Sequence, residues 1–162
     1  MTVSNNNNIQ LLAEYLENNS SMLCCAESCT GGLIAKQLTD IAGSSNWFDR
    51  GFVTYSNQAK IEMLGVQLIT LQQHGAVSEA VVREMAAGAI KHSSSQFSIA
   101  VTGIAGPGGG SAEKPVGTVW FGFSIQNHIV ARHVEFAGNR EQVRDQSACF
   151  AIETLLGLIH KG

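Results

Sequence analysis

The chain has 162 residues, of which 44% are apolar, which suits a single domain able to bury a sizeable core. Only 14% of its residues are charged, and 10 basic against 13 acidic side chains leave a net charge of −3. That balance excludes a charge-driven disordered chain and a broadly basic surface for gripping nucleic acid. Low surface charge also suits a face covered by a partner subunit, so a homo-oligomer is expected. No apolar run approaches the ~18 residues of a membrane span. The start, Met1-Thr2-Val3-Ser4 followed by Asn5 to Asn8, has neither the basic nor the apolar region of a secretory leader. Cys24, Cys25, Cys29 and Cys149 contain no C-x-x-C spacing, so they read as reduced thiols of a cytoplasmic protein rather than as a zinc or redox site.

In chain order, residues 1–8 are polar and are expected to form a loose tail, with one domain over 9–162. Ile9, Leu12, Ala13 and Leu16 recur at helical spacing. Met22 to Ala26 is a short apolar run and reads as a buried strand. The turn Glu27-Ser28-Cys29-Thr30-Gly31-Gly32 leads into a helix carrying Ile34, Leu38 and Ile41, which should stop near Gly43. Gly51 to Tyr55 reads as a second strand. Ser56-Asn57 then caps a short helix over Gln58 to Leu64, and a further short helix covers Ile69 to His74. Ser78 caps a longer helix whose apolar face is Val81, Val82, Met85, Ala86 and Ala89. Phe97 to Val101 is the third strand and opens onto the Gly-rich segment Thr102 to Ser111. Thr118 to Ile125 and His128 to Phe136 form a hairpin about Gln126-Asn127. Asn139 caps a final helix with Val143, Ala148, Ala151, Ile152, Leu155 and Ile159 on its buried stripe. Strands alternating with helices predict a three-layer α/β/α domain, and the late hairpin makes the sheet mixed.

Three segments can carry chemistry. The turn at Ser28 leaves the carboxyl end of a buried strand, where ligands collect in open α/β sheets. A hydroxyl there lies beside N–H groups able to hold an oxyanion, and Gly31 and Gly32 let a substrate approach the backbone. A plain helix cap by Ser28 or Thr30 is the competing reading. The segment is not the G-x-S-x-G elbow, and none of His74, His92, His128, His133 or His160 has a site signature. Lys60 follows the second strand and is the better base if the strands are parallel, since burial depresses a lysine; otherwise it is a solvated helix lysine. Tyr55 either orients the pair or packs in the core. Cys29, a thiol at a helix start, is a rival nucleophile. The Gly-rich segment, with Thr102, Gly103 and Gly106, either cradles a phosphate or merely connects, and it is no Walker loop. Arg140 and Arg144 share a face near a helix N-terminus, where two cations oppose the dipole and so suggest an anionic ligand, unless they are merely solvated. No clustered His/Asp/Glu set is written for a metal.

Taken together, Ala26-Glu27-Ser28-Cys29-Thr30-Gly31-Gly32, Tyr55-Ser56-Asn57-Gln58-Ala59-Lys60, and Thr102-Gly103-Ile104-Ala105-Gly106-Pro107 with Lys114-Pro115-Val116-Gly117-Thr118-Val119 resemble the CinA C-terminal-domain family. Gly75-Ala76-Val77-Ser78 and Gly138-Asn139-Arg140 fit in the same order, and the resemblance runs from about residue 9 to 158. Family members include nicotinamide-nucleotide amidohydrolases, which deamidate nicotinamide mononucleotide (NMN) to nicotinic acid mononucleotide and ammonia and so recycle pyridine nucleotides. Many relatives carry an additional N-terminal domain, and a stand-alone form is expected here. The resemblance implies Ser28 as nucleophile, Lys60 as its base and Tyr55 assisting. It also implies phosphate binding by the Gly-rich loop and by Arg140 or Arg144, with no cofactor or metal. Asn139 departs from the Asp expected in many relatives, which would weaken an orienting contact to arginine. A non-catalytic nucleotide-binding or competence-linked adaptor of the same fold is the alternative.

Overall fold

A computed structural model describes residues 3–160. Among these described residues, five strands form one sheet: β1 (Leu23–Glu27), β2 (Phe48–Val53), β3 (Phe97–Gly103), β4 (Thr118–Ile125) and β5 (His128–Glu135). Their spatial order is β2-β1-β3-β4-β5. β1 runs parallel to both β2 and β3, whereas β4 and β5 are antiparallel to their neighbours. Gln126 and Asn127 both take positive φ, 47° and 74°, as the tight turn of the β4–β5 hairpin requires.

Among the described residues, six helices cover the two faces: α1 (Val3–Asn18), α2 (Leu33–Thr39), α3 (Asn57–Leu64), α4 (Leu68–His74), α5 (Glu79–Lys91) and α6 (Arg140–Ile159). Because side chains alternate along a strand, Leu23 and Cys25 of β1 join Phe97, Ile99 and Val101 of β3 under α1, α2 and α6. Cys24 and Ala26 point the other way, to Ala100 and to α3, α4 and α5. This is the three-layer arrangement with a mixed sheet. β1 lies between both layers and is buried along its whole length, which is why its sequence is a continuous apolar run until Glu27.

Some packing demands glycine. A Cβ on Gly122 of β4 would fall 2.6 Å from the Val82 carbonyl of α5, and one on Gly88 of α5 would collide with the Leu64 carbonyl of α3. Helix α5 thereby lies close to both the sheet and α3. Its apolar face is the set read from the sequence: Val81, Val82, Met85, Ala86 and Ala89 are all fully buried.

Several element boundaries depart from expectation. The first helix begins at Val3, so residues 3–8 are not a loose tail, while residues 1–2 lie outside the described residues. The run of asparagines has middling helix propensity, but Asn5 Nδ2 donates to Gln37 Oε1 of α2 at 3.0 Å and docks the first turn. β2 starts at Phe48 rather than Gly51 and ends at Val53 rather than Tyr55. A 3-10 turn at Ser44–Asn46 delivers Trp47 beside β1, where its carbonyl accepts from the Leu23 N–H at 2.8 Å, so pairing begins early. Helix α2 stops at Thr39, capped by Asp40, short of Ile41.

Since β1, β2 and β3 are parallel, their carboxyl ends meet at one edge. Ser28, Thr54-Tyr55 and Thr102-Gly103 all emerge there, at the place where open α/β sheets hold ligands.

Candidate active site

Ser28 is the first residue beyond β1, and its N–H donates to Val101 O of β3 at 3.0 Å. The chain then reverses through Cys29 to Gly32. The Gly31 N–H returns to Ser28 O at 3.1 Å, and Gly31 and Gly32 hold φ of 59° and 97°, which side chains disfavour. The buried Glu27 carboxylate accepts the N–H groups of Gly32 (3.1 Å), Ile34 (3.0 Å) and Ala35 (2.8 Å). It thus caps α2 from five to eight residues upstream, a task the sequence reading left to Ser28 or Thr30. Neither hydroxyl caps: Ser28 faces the cleft, and Thr30 Oγ1 is buried without a partner. With Gly31, Gly32 and Leu33 spent inside the turn, the Cys29 and Thr30 N–H groups are the turn's amides with no hydrogen bond to another residue among the described residues.

Lys60 reaches Ser28 from the next crossover. Ser56 caps α3 by accepting the Ala59 N–H at 3.0 Å, which places Lys60 in the first turn facing inward. Its Nζ donates to Ser28 Oγ at 3.0 Å and to Thr54 O, at the end of β2, at 3.0 Å. Only 1% of Lys60 is exposed, and among the described residues no salt bridge engages it. Burial pushes its pKa below the ordinary lysine value, because desolvation disfavours the ammonium. Burial also raises the Cys29 thiol to about 12, so it stays protonated and is a poor nucleophile.

The cleft has a volume of about 260 Å³. Ser28 and Cys29 line it from the turn after β1, Tyr55, Asn57 and Lys60 from the β2–α3 crossover, and Ala76 and Val77 from the α4–α5 turn. Thr102, Gly103 and Ala105 line it from β3 and beyond, and Arg140 from α6. Thr102 Oγ1 donates to Ala76 O at 2.9 Å, tying two walls together. A Cβ on Gly103 would lie 2.8 Å from Val119 Cγ2 and 3.1 Å from Cys29 Sγ, so only glycine fits against the turn that carries Ser28.

The remaining candidates divide. Tyr55 is 59% exposed, and its hydroxyl accepts from Arg140 Nη2 at 2.7 Å at the rim; it bonds neither Ser28 nor Lys60. Arg140 Nη1 also donates to Gly106 O at 2.9 Å. Arg144 is outside the cleft lining, and donates to Cys29 O (3.2 Å) and Thr30 O (2.8 Å). Thr30, Gly31, Gly32 and Gly106 likewise do not line it. Nor does the stretch Gly108 to Ser111, so the Gly-rich segment meets the cleft only through Thr102, Gly103 and Ala105. Among the described residues no group of His, Cys, Asp and Glu gathers as a metal site, and no helix is long and apolar enough to cross a membrane.

Residues 5–159 match the family described as the CinA C-terminal domain. The chain belongs to the CinA C-terminal domain family. Among its relatives, the nicotinamide-nucleotide amidohydrolase PncC of Enterobacter agglomerans is 62% identical over 82% of this chain and 81% of its own length. That of Escherichia coli K12 is 53% identical over 89% of this chain and 88% of its own. The crystal structure of the competence/damage inducible protein CihA from Agrobacterium tumefaciens superposes with a TM-score of 0.93. It is 44% identical, and the match covers 98% of this chain and 99% of that one.

In this CinA-family chain, Asn139 Oδ1 accepts the Gln142 N–H at 3.0 Å while Gln142 Oε1 accepts the Asn139 N–H. The residue is spent on a capping box, and among the described residues it makes no hydrogen bond to arginine, in line with the weakened contact expected for Asn in place of Asp. Glu27, the Thr54 carbonyl and Asn57 escaped the sequence reading. A carboxylate preceding a Gly-Gly helix start was the available signal for Glu27. A backbone carbonyl leaves none.

Proposed function

We propose that this CinA-family protein is an amidohydrolase that cleaves the carboxamide of NMN to nicotinic acid mononucleotide and ammonia, with a role in pyridine nucleotide recycling in the cytoplasm. The observation that carries the reading is the 3.0 Å bond between Lys60 Nζ and Ser28 Oγ, buried at the carboxyl edge of the sheet. The choice of substrate is supported by the high identity to relatives named nicotinamide-nucleotide amidohydrolase.

Deprotonated Lys60 accepts the Ser28 proton as Oγ attacks the carboxamide carbon. Its depressed pKa makes the neutral amine accessible, and Thr54 O keeps Nζ aimed at Ser28. The N–H of Cys29, which lines the cleft beside Ser28, binds the oxygen as it gains charge. Lys60 returns the proton to the leaving nitrogen, the C–N bond breaks, and ammonia departs from an acyl-Ser28 ester. Water, deprotonated by Lys60, then releases the carboxylic acid and restores the Ser28 hydroxyl. Arg140, at the rim, pairs with the nucleotide phosphate, and Tyr55 holds its guanidinium there.

Incubating the protein with NMN and a chelator, and following both products, tests the reading. Equal amounts of ammonia and nicotinic acid mononucleotide support it. Binding of NMN by the folded protein with no product contradicts it and favours the adaptor alternative.

A further inference from the structure

The oxygen and the NH2 of a carboxamide are nearly equal in size. A site tells them apart by hydrogen-bond polarity, since the oxygen only accepts and the NH2 only donates. Glu27 of β1 and Val101 of β3 are partners in a parallel register, and the Ser28 N–H donates to Val101 O at 3.0 Å. Ser28 and Thr102 therefore stand side by side at the strand ends. Val101 belongs to the core under α1, α2 and α6, and the alternation of side chains turns Thr102 to the opposite face. Ser28 shares that face. Lys60 of α3 meets Ser28, Ala76 of the α4–α5 turn meets Thr102, and all four residues line the cleft. A hydroxyl has one proton and two lone pairs. The Thr102 proton is committed to Ala76 O at 2.9 Å, and among the described residues nothing donates to Oγ1. Ser78 holds the turn of Ala76 in place, donating to Gly75 O at 2.8 Å and accepting the Val81 N–H. The Thr102 oxygen is thereby left as an acceptor.

We propose that Thr102 is a specificity-determining residue whose acceptor-only hydroxyl oxygen receives the NH2 of the substrate carboxamide and rejects the carboxylate of the product. The inference rests on the amidohydrolase reading above and names the group that recognises the amide. Neighbouring strands lie about 5 Å apart. Attack needs about 3–3.5 Å between Ser28 Oγ and the carboxamide carbon. An N–H···O bond takes about 2.9 Å. A carboxamide thus spans the gap between the two side chains. With the Cys29 N–H on its oxygen and Thr102 on its nitrogen, the group has one favourable orientation. A flipped carboxamide sets donor against donor at Cys29 and acceptor against acceptor at Thr102. Once the C–N bond has broken and water has released the acid, a carboxylate oxygen stands where the NH2 stood. Lone pairs then face lone pairs, which favours release. The same polarity argues against the phosphate as the ligand of Thr102, since the oxygens of a phosphate dianion also only accept.

The test compares wild type with Thr102→Val, which keeps the shape and removes the hydroxyl, and Thr102→Ser, which keeps the hydroxyl. Turnover of NMN is followed in each. Calorimetry in a Ser28→Ala background gives the Kd of NMN and of nicotinic acid mononucleotide, which differ only in NH2 against oxygen. Thr102→Val should lower kcat/KM for NMN about 10- to 100-fold, because the NH2 is then buried without an acceptor. It should weaken NMN binding, while nicotinic acid mononucleotide binds at least as tightly as before. Thr102→Ser should stay within about threefold of wild type in both assays. Equal weakening of both nucleotides would reduce Thr102 to a tie between two walls and overturn the proposal, as would a Thr102→Ser protein that loses as much as Thr102→Val. Circular dichroism checks folding, and Thr102→Ala replaces the valine variant should that one unfold. A wild type that leaves NMN intact refutes the amidohydrolase reading alone, and the two dissociation constants still decide the role of Thr102. A protein that binds neither nucleotide refutes both.

Discussion

Replacing Glu27 with glutamine tests what holds the turn that carries Ser28. Glu27 Oε2 accepts from Gly32 and Ile34, and Oε1 accepts from Ala35 at 2.8 Å and from the Cys25 thiol at 3.5 Å. A glutamine keeps one oxygen, which serves best on the Gly32–Ile34 side. Its NH2 then faces the Ala35 N–H, donor against donor. One charge-assisted hydrogen bond, about 1.5–3 kcal/mol, is lost and an amide is left unpaired; allowing for relief by the Cys25 sulfur turning to accept, the net cost is roughly 2–4 kcal/mol. At about 2–4 °C per kcal/mol for a chain of this length, Tm falls by roughly 5–15 °C. Thermal unfolding followed by circular dichroism at neutral pH measures it. A Tm within about 2 °C of wild type would refute the claim that the carboxylate organises this turn.

Four further outcomes follow from the same geometry. Lys60→Met lowers kcat by about 10²–10⁴, the worth of a positioned general base, and removes the acid limb of the kcat/KM profile. In wild type the midpoint of that limb lies below the ordinary lysine value of 10.5, because burial disfavours the ammonium. The stability linkage has a definite sign. The unfolded chain binds the Lys60 proton more readily, so the native state carries its cost fully below the folded pKa and loses it as pH rises towards 10.5. The stability of Lys60→Met relative to wild type, measured by urea unfolding, should therefore be greatest near neutrality and decline as pH rises. Iodoacetamide at neutral pH should leave turnover intact, because the Cys29 thiol is buried and raised to about 12; rapid inactivation that Cys29→Ala abolishes would contradict this. Tyr55→Phe removes the rim contact to Arg140 alone, so KM for NMN should rise with kcat nearly kept; a collapse of kcat would put Tyr55 in the proton path.

Much of the architecture was legible in the sequence because burial writes a period into it. The order of the eleven helices and strands among the described residues, the hairpin turn and the inward face of α5 follow from apolar spacing and caps. The boundaries that moved are those decided by distant partners: Asn5 docks on Gln37, and the Trp47 carbonyl meets β1. At the site, the meeting of Ser28 and Lys60 was readable on the condition that the strands they follow run parallel, and β1 and β2 do. Tyr55 and Arg144 were not assignable in the same way. Their tasks depend on which partner the guanidinium of Arg140 or Arg144 selects, and helical spacing places both arginines on one face without saying which reaches the cleft. The reach of the Glu27 side chain to the amides of α2 is likewise a property of the folded turn.

The central claim is that Ser28 carries the reaction with Lys60 as its base. The most direct test is the turnover of NMN by wild type, Ser28→Ala and Lys60→Met at equal concentration, with ammonia and nicotinic acid mononucleotide quantified together. The account predicts product from wild type, none above background from Ser28→Ala, and a rate lowered by about 10²–10⁴ in Lys60→Met. Full activity in a folded Ser28→Ala protein would contradict it.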